Sequence, residues 1–285
     1  MTATKQRNLL RTHLASDQCL QPASVFDPIS ARLASFLGLD IGMLAGSVAS
    51  AVVLGAPDIT VITLTELVEQ SRRITRASNI SLIVDADHGY GNALNVIRTV
   101  QELENASASA LTIEDTSLPQ AYGSTGDSLI PIDEASSKFK AAVGARRDPA
   151  TVIIGRTSAM GTEGIPGTLK RIEAYSTTGI DAIFFTKVTN LEQLNAIHRS
   201  TKLPIFLGSA PAALQDRNLL AQNGVRISLQ GHTPFENMVL GLYSSLREQA
   251  HFNKQPFDPI LSQRELIATA LSAEEYRNWQ DMFMQ

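Results

Sequence analysis

The feature that most constrains the fold is an alternation of short apolar runs with helical patterns through most of the chain. Eight runs rich in β-branched residues are typical of strands, and patterns with a 3.6-residue period lie between them. Strands that are apolar on both faces, each followed by a helix, indicate a parallel sheet covered on both sides. The eight runs are 20–26, 41–46, 80–86, 110–115, 151–157, 182–187, 203–208 and 225–230.

Eight such units favour an α/β fold closed into a (β/α)8 TIM-type barrel, with the whole chain, residues 1–285, as one barrel domain. The length of 285 residues suits this fold, which often takes about 250 residues as one unit. An open doubly wound sheet is the alternative. It is disfavoured because no glycine-rich dinucleotide-binding motif follows the first strand.

The last part of the chain departs from this alternation. A helix is predicted from about 236 to 251, the segment "FNKQPFDP" then breaks the helical pattern with two prolines, and "SAEEYRNWQDMF" forms a final amphipathic helix. Residues from about 252 to 285 are therefore expected to form an extended C-terminal arm and helix. This helix packs either on another subunit or on its own barrel.

Local signals refine the expected elements. Thr63 and Glu66 form a plausible capping box, and Asn190 is the expected N-cap of a later helix. The uncharged stretch 41–57 carries three glycines and two serines, and we interpret it as a buried strand followed by a close-packed loop. Few of its side chains are large and apolar, so it is not expected to span a membrane.

Composition excludes several classes of function. The formal net charge is -4 and no basic cluster is present, which disfavours nucleic-acid binding. Cys19 is the single cysteine, so neither an internal disulfide nor a cysteine-based metal site is expected. The N-terminus lacks the apolar region of a signal peptide, and we expect a cytoplasmic protein with no membrane partner.

Polar residues cluster where the predicted strands end, which in a barrel is the face that carries the active site. Each alone has an ordinary explanation as a helix cap, a turn residue or an ion-pair partner. Together they converge on one rim, and this favours a site. The residues are Ser47, Ser50 and Asp58 after strand two, Asp85 and Asp87, Glu114 and Asp115, Arg156 to Ser158, Lys187, Ser209 and His232.

The stretch "DADHGYG", residues 85–91, places Asp85 and Asp87 directly after a buried run. Two carboxylates at one strand end either belong to a polar turn or hold a cation that offsets their repulsion. Oxygen ligands without cysteine suit a hard cation, and Mg²⁺ fits best because it accepts few direct carboxylates and keeps several waters. Mn²⁺ would also fit. His88 within this turn is interpreted as structural.

Three motifs, "DADHGYG", "TIEDTSLPQAYG" and "IIGRTSA", resemble those of the isocitrate lyase/phosphoenolpyruvate mutase superfamily. The resemblance extends from "PASVFDPISARL" through "GHTPF". It implies a (β/α)8 barrel, Mg²⁺, a small α-keto or α-hydroxy acid substrate, and a homotetramer (dimer of dimers) that exchanges C-terminal helices. It also implies that Ser47 and nearby amides bind the substrate carboxylate, that Arg156 contacts the bound acid, and that Asp85 binds the metal directly. The carboxylates implied to hold the metal through water are Asp58, Asp87 and Glu114.

Departures from the superfamily pattern bear on the reaction. The carbon–carbon lyases use a cysteine in a gating loop, and the phosphonopyruvate enzymes usually place a lysine there. The segment 115–131 has neither. The sequence "LQGHTPF" instead puts His232 after strand eight, which resembles the bacterial oxaloacetate decarboxylases. That branch can carry a tyrosine after strand seven, where this chain has Ser209, so a 3-substituted oxaloacetate or malate is a further substrate to consider.

The expected activity is Mg²⁺-dependent decarboxylation of oxaloacetate, or a 3-substituted analogue, to pyruvate and CO₂ through a metal-stabilised enolate. Arg156 is expected to stabilise developing negative charge, and His232 to orient the leaving carboxylate. Three alternatives stay open. The first is a methylisocitrate lyase-like enzyme acting on a substituted malate or isocitrate with a different acid such as Tyr122. The others are a phosphonopyruvate-type enzyme and a non-catalytic homologue that senses a keto acid.

Overall fold

The predicted alternation forms one continuous parallel sheet in the computed structural model, which describes residues 2–124, 126, 128–255 and 261–285. The strands follow each other around the sheet in chain order. They are β1 (Ala23–Ser24), β2 (Ile41–Leu44), β3 (Ser81–Asp85), β4 (Ala110–Glu114), β5 (Val152–Thr157), β6 (Ala182–Phe185), β7 (Ile205–Gly208) and β8 (Val225–Leu229). All eight predicted strands are present.

The sheet closes on itself just before β1. Leu20 pairs in parallel with Ile227 of β8. The Leu20 amide donates to the Arg226 carbonyl at 2.9 Å, and the Ser228 amide donates to the Leu20 carbonyl at 2.9 Å. The (β/α)8 barrel is therefore confirmed, and the open doubly wound sheet is excluded.

Helices cover the outside of the sheet and extend beyond it at both ends of the chain. They are α1 (Ala3–Ala15), α2 (Pro28–Phe36), α3 (Gly46–Leu54), α4 (Leu64–Ala77), α5 (Ala93–Asn105), α6 (Ile132–Ala145), α7 (Ala159–Thr162), α8 (Gly164–Ser176), α9 (Leu191–Ser200), α10 (Arg217–Gln222), α11 (Thr233–Phe252), α12 (Gln263–Ala270) and α13 (Ala273–Phe283). The predicted caps are confirmed: Thr63 and Glu66 form the capping box of α4, and the Asn190 side chain accepts from the Gln193 amide.

The loop expected after β2 is wrong, because residues 46–54 form helix α3. The glycines that suggested a loop stand at positions that leave the helix interior intact. Gly42 lies in β2, Gly46 is the first helical residue, and Gly55 ends the helix in a left-handed conformation with φ of 63°. The first amides of α3 have no intrahelical acceptor, so they are available to an anion at this end of the helix.

Helix α1, which the sequence analysis does not predict, closes the amino end of the barrel. Its Leu10 and Leu14 are buried in the interior cluster with Ile83, Ile154 and Phe206 from the strands. A second, larger cluster fills the space between the strands and the outer helices. The barrel interior is therefore packed with side chains at its base, and its polar groups lie at the other end.

The C-terminal region contains the predicted final helix and one more. The final helix is α13, and α12 precedes it; the arm residues 256–260 lie outside the described residues. None of the α13 side chains is buried, and its end contacts the loop after β4, where the Gly123 amide donates to the Met284 carbonyl at 3.0 Å. Across the described residues, every helix is too short or too polar to cross a membrane.

Candidate active site

A cavity of about 430 Å³ opens at the carboxyl ends of the strands, the end that carries the active site in this fold. Seven residues that the sequence analysis assigned to metal, substrate or catalysis line this cavity. These are Ser47, Asp58, Asp85, Asp87, Glu114, Arg156 and His232. The convergence predicted from the strand ends is therefore observed, and three further polar residues of the predicted rim, Ser158, Lys187 and Ser209, lie in the same wall.

Asp85 is held from two sides by neighbours on adjoining strands. The register of β3 and β4 places Thr112 opposite Asp85, and the Thr112 hydroxyl donates to Oδ1 at 2.8 Å. Nη1 of Arg156 donates to Oδ2 at 2.6 Å. The carboxylate is buried, so these contacts fix its orientation toward the cavity.

Arg156 is the centre of the charged cluster. It pairs in register with Glu114 across β4 and β5, and its Nε lies 3.0 Å from Glu114 Oε2. Its guanidinium also lies 5.3 Å from the centre of the Phe184 ring, within the range of a cation–π contact. Burial opposes the charged form, but Asp85 and Glu114 raise the pKa of Arg156 above its ordinary value. The positive charge is therefore permanent and fixed in place.

Negative charge exceeds positive charge around Arg156. Burial raises the pKa of Glu114 to about 7, with Arg156 opposing and Asp85 adding to the increase. Burial and the charges of Asp85, Glu114 and Asp58 raise the pKa of Asp87 well above its ordinary value. Asp58, nearer the mouth, has its pKa raised by partial desolvation and by Asp85. Four carboxylates thus share one guanidinium.

Asp87 occupies a position built for its side chain. Its backbone has φ of 45°, a left-handed conformation uncommon outside glycine. Its Oδ1 lies so close to Gly46 that a Cβ there would approach it to 2.7 Å. The first residue of α3 must therefore be glycine for this carboxylate to reach the cavity.

The donor set fits a hard divalent cation. The carboxylates Asp85, Asp87 and Glu114 are buried. Burial first, and neighbouring carboxylates after it, raise the pKa of Asp87 and Glu114, and a cation between these groups would favour their ionised forms. Among the described residues, no group of three or more His, Cys, Asp or Glu side chains is arranged to hold a metal ion directly. Buried carboxylate oxygens are the ligand type that hard divalent cations prefer.

His232 follows β8 and contacts residues of the neighbouring β1 and of helix α3, which follows β2. Its Nδ1 lies 3.2 Å from the Ser24 hydroxyl and its Nε2 lies 3.5 Å from the Ser47 hydroxyl. Burial lowers the pKa of His232 below 6.5, although Glu236 and Asp85 oppose this. Burial therefore favours the neutral form of the ring, which lies beside the free amides at the start of α3.

Several candidates lie outside the cavity. Asp115 is buried away from it and accepts from the Tyr175 hydroxyl at 2.6 Å and from Arg171 at 3.1 Å. His88 is buried and does not line the cavity, and the Ser50 hydroxyl donates to the Pro57 carbonyl. Tyr122, the alternative acid, is 76% exposed and does not line the cavity.

Sequence reasoning missed the residues that support the site. Thr112 orients Asp85, Ser24 contacts His232, Phe184 packs on Arg156, and Gly46 makes room for Asp87. Thr112 carries a signal that could have revealed it, because it lies two residues before Glu114 on one strand and so faces the same side. The other three contacts depend on tertiary structure.

Comparison with known proteins agrees with the resemblance that the sequence motifs indicate. A family model described as phosphoenolpyruvate phosphomutase matches residues 10–249. A protein of Bradyrhizobium sp. (strain ORS 278) named oxaloacetate decarboxylase is 51% identical over 247 residues, which cover 87% of this chain and 86% of the relative.

Solved structures share the fold over nearly the whole chain. A phosphonopyruvate hydrolase in complex with oxalate and Mg²⁺ has a TM-score of 0.76 and 26% identity, covering 100% of both chains. A 2,3-dimethylmalate lyase, described as a PEP mutase/isocitrate lyase superfamily member, has a TM-score of 0.78 and 24% identity. It covers 99% of this chain and 95% of its own, and this likeness shows the fold alone.

Proposed function

This chain belongs to the phosphoenolpyruvate phosphomutase family, as its motifs predicted, and on that premise we propose that it is a carboxy-lyase that decarboxylates oxaloacetate to pyruvate and CO₂. The 51% identity to an oxaloacetate decarboxylase over most of the chain supports the reaction. The observation that carries the proposal is the presence, in one cavity, of buried carboxylates around Arg156 and of His232 next to the start of α3.

The proposed cofactor is Mg²⁺, and Mn²⁺ would also fit. Asp85 would bind it directly, and the other three carboxylates of the wall, Asp58, Asp87 and Glu114, would hold its waters. When bound, the ion supplies Lewis-acid stabilisation of negative charge on the substrate's keto oxygen. The Mg²⁺ and oxalate of the phosphonopyruvate hydrolase complex support this choice for a chain of the same fold.

The residues of the chain itself bind and orient the substrate. Ser47 and the free amides at the start of α3 are suited to the carboxylate next to the keto group. Arg156 is already fixed by Asp85 and Glu114, so its charge needs no rearrangement to stabilise the keto oxygen as that oxygen becomes negative. His232, steadied by Ser24, would orient the second carboxylate through its ring N–H.

The reaction needs no covalent nucleophile. The C3–C4 bond breaks, its electron pair moves through C2–C3 to the keto oxygen, and the C4 carboxylate leaves as CO₂. Addition of a proton at C3 of the resulting enolate gives pyruvate. Cleavage of a substituted malate or isocitrate would need an acid from the chain, but Tyr122 is exposed outside the cavity and Cys19 is buried elsewhere.

The test is a substrate panel read by NMR. Oxaloacetate, phosphonopyruvate and 2-methylisocitrate are each incubated with the protein and Mg²⁺. Because Mg²⁺ alone promotes the loss of CO₂ from oxaloacetate, the matched reaction contains Mg²⁺ and the Asp85→Ala variant. We expect pyruvate from oxaloacetate at a rate well above this control, lost with EDTA and restored by Mg²⁺ or Mn²⁺. Succinate and pyruvate from 2-methylisocitrate, with no excess pyruvate from oxaloacetate, would contradict the proposal.

We further propose that the chain assembles as a homotetramer in which C-terminal helices pack on neighbouring subunits. Helix α13 buries none of its side chains within its own chain. Apolar side chains on α2 are also exposed, among them Phe36 at 86% and Leu37 at 73%. Native mass by light scattering tests this: a tetramer is expected, and the Phe36→Glu/Leu37→Glu double variant should yield smaller species. A monomeric wild-type protein would contradict it.

A further inference from the structure

The wall of the cavity formed by β6 and β7 has an unusual backbone. Lys187, after β6, has φ of 63°, and Ser209, after β7, has φ of 53°. Both lie in the left-handed region, where a side chain costs free energy that glycine avoids. Such strain is retained mainly at functional positions, where the side chain supplies something that glycine does not. Both residues line the cavity.

The side chain of Lys187 has no ion-pair or hydrogen-bond partner among the described residues. In the part of the chain that the structure describes, two basic side chains line the cavity, Arg156 and Lys187. Arg156 is engaged by Asp85 and Glu114. No ion pair or side-chain hydrogen bond of Lys187 is found within the same described ranges, and its side chain is exposed toward the mouth. It is therefore free to receive an anion.

The stem of Lys187 is nevertheless positioned by packing. It runs over Gly161 of α7 so closely that a Cβ at that glycine would approach both Cβ and Cγ of Lys187 to 3.0 Å. Any larger residue at 161 would displace the stem. The close approach to Gly161 directs the start of the side chain, while the ammonium keeps the freedom of an exposed group.

The position of Lys187 in the ring determines which part of a ligand it meets. In a closed barrel of eight strands in chain order, β6 stands opposite β2 and β7 stands opposite β3. Ser47 follows β2, and Asp85 and Asp87 follow β3. A 2-oxo acid bound at that side by its carboxylate and keto oxygen would therefore extend its remaining carbons toward Lys187 and Ser209.

We propose that Lys187 is a specificity-determining residue that binds the substrate carboxylate farthest from the 2-oxo group, and so selects dicarboxylic over monocarboxylic acids. The inference rests on the proposed function, because that function defines which end of the acid faces Asp85. The contact acts on binding more than on bond breaking, since the carboxylate it holds loses its charge as it leaves as CO₂. Loss of Lys187 should therefore raise KM for oxaloacetate without lowering kcat.

Two ligands that do not decarboxylate separate the distal contact from the rest of the site. Malate has the same carbon chain as oxaloacetate and carries the distal carboxylate, whereas oxalate ends before reaching Lys187. Their dissociation constants are measured by calorimetry in the presence of Mg²⁺. The variants are Lys187→Met, which keeps the stem, and Lys202→Met, which removes the same charge from an exposed lysine before β7, at the other end of the barrel.

We expect Lys187→Met to weaken malate binding about three- to tenfold, as for a partly exposed ion pair, and to leave oxalate binding unchanged. Lys202→Met should change neither. Lys187→Gly relieves the left-handed backbone, so it should match Lys187→Met in malate affinity while its Tm is no lower than that of the wild type. This combination separates a ligand contact from a structural role.

Specific outcomes overturn the inference. Equal malate affinity in Lys187→Met and Lys202→Met would exclude the distal contact, and so would equal losses for malate and oxalate. If oxaloacetate is still decarboxylated in that case, the proposed function stands without it. If malate binding depends on Lys187 but oxaloacetate is not turned over, the distal contact stands and the proposed reaction is wrong. A wild-type protein that binds neither ligand would overturn both.

Discussion

The two ends of the barrel use buried charge in opposite ways. At the amino end, Arg7 donates to the carbonyls of Ala108 and Glu104 and pairs with Asp148 at 2.7 Å. Asp181 there pairs with two arginines. At the carboxyl end, four carboxylates share Arg156. Matched charges at the base stabilise the fold, whereas the unmatched charge at the mouth leaves a place for a ligand.

The strongest test of this difference is to replace one aspartate by alanine at each end of the barrel. Asp85→Ala should lower turnover of oxaloacetate at least about 100-fold, because the proposed direct metal ligand is lost, with little loss of folding stability. Asp148→Ala should lower the free energy of unfolding by about 1–3 kcal/mol, because Arg7 loses its partner, and should leave kcat of the folded enzyme unchanged. Pyruvate formation and urea unfolding measure the two effects. Near-normal activity of Asp85→Ala would refute the metal assignment.

The two ends should also respond oppositely to pH. Burial raises the pKa of Glu114 from 4.5 to about 7, so the folded protein keeps a proton that the unfolded chain releases, and stability falls as pH rises through this window. The pKa of Asp148 is instead held below its ordinary value: burial opposes this, but hydrogen bonds, that from Arg7 first, outweigh it, and its contribution is lost only in acid.

A cation bound by the ionised carboxylates should therefore stabilise the protein more at pH 8 than at pH 5.5. We expect the increase in Tm on adding Mg²⁺ to be larger at pH 8 by about 3 °C or more, measured against the same buffer with EDTA. Glu114→Gln should flatten the pH dependence of Tm in EDTA. An equal increase at both pH values would contradict cation binding by these carboxylates.

The smallest effect is expected at His232, whose ring lies between the hydroxyls of Ser24 and Ser47. His232→Ala should lower kcat/KM for oxaloacetate about tenfold, while the inhibition constant of oxalate changes little, since oxalate lacks the carboxylate that the ring orients. Ser24→Ala, which removes the contact to Nδ1, provides a milder change of the same kind. Equal losses for oxaloacetate and oxalate would identify a purely structural histidine.

The sequence predicted the parts of the molecule that follow from periodicity and position. Polar residues at strand ends identified Asp85, Glu114, Arg156 and His232, because the carboxyl ends of parallel strands meet at one rim. The strand pattern also predicted the closed sheet. Roles that rest on resemblance, such as Asp85 as the direct metal ligand, stay predictions.

Other features could not be derived because they depend on tertiary contacts. The glycines of segment 41–57 favour a loop, because composition alone does not show that they lie at the boundaries of helix α3. The insertion of Leu10 and Leu14 into the base depends on the shape of the closed barrel. The free charge of Lys187 is visible only once the partners of Arg156 are known.

The packing of α1 into the barrel affects the route by which substrate and products can enter and leave the cavity. Leu10 and Leu14 fill the base of the barrel, so in the described part of the chain the cavity is closed at its amino end. Under the proposed reaction, oxaloacetate enters and both CO₂ and pyruvate leave through the same mouth, past Lys187 and Asp58. Exit of the gas and entry of the next substrate therefore share one route, and whatever narrows that mouth limits both.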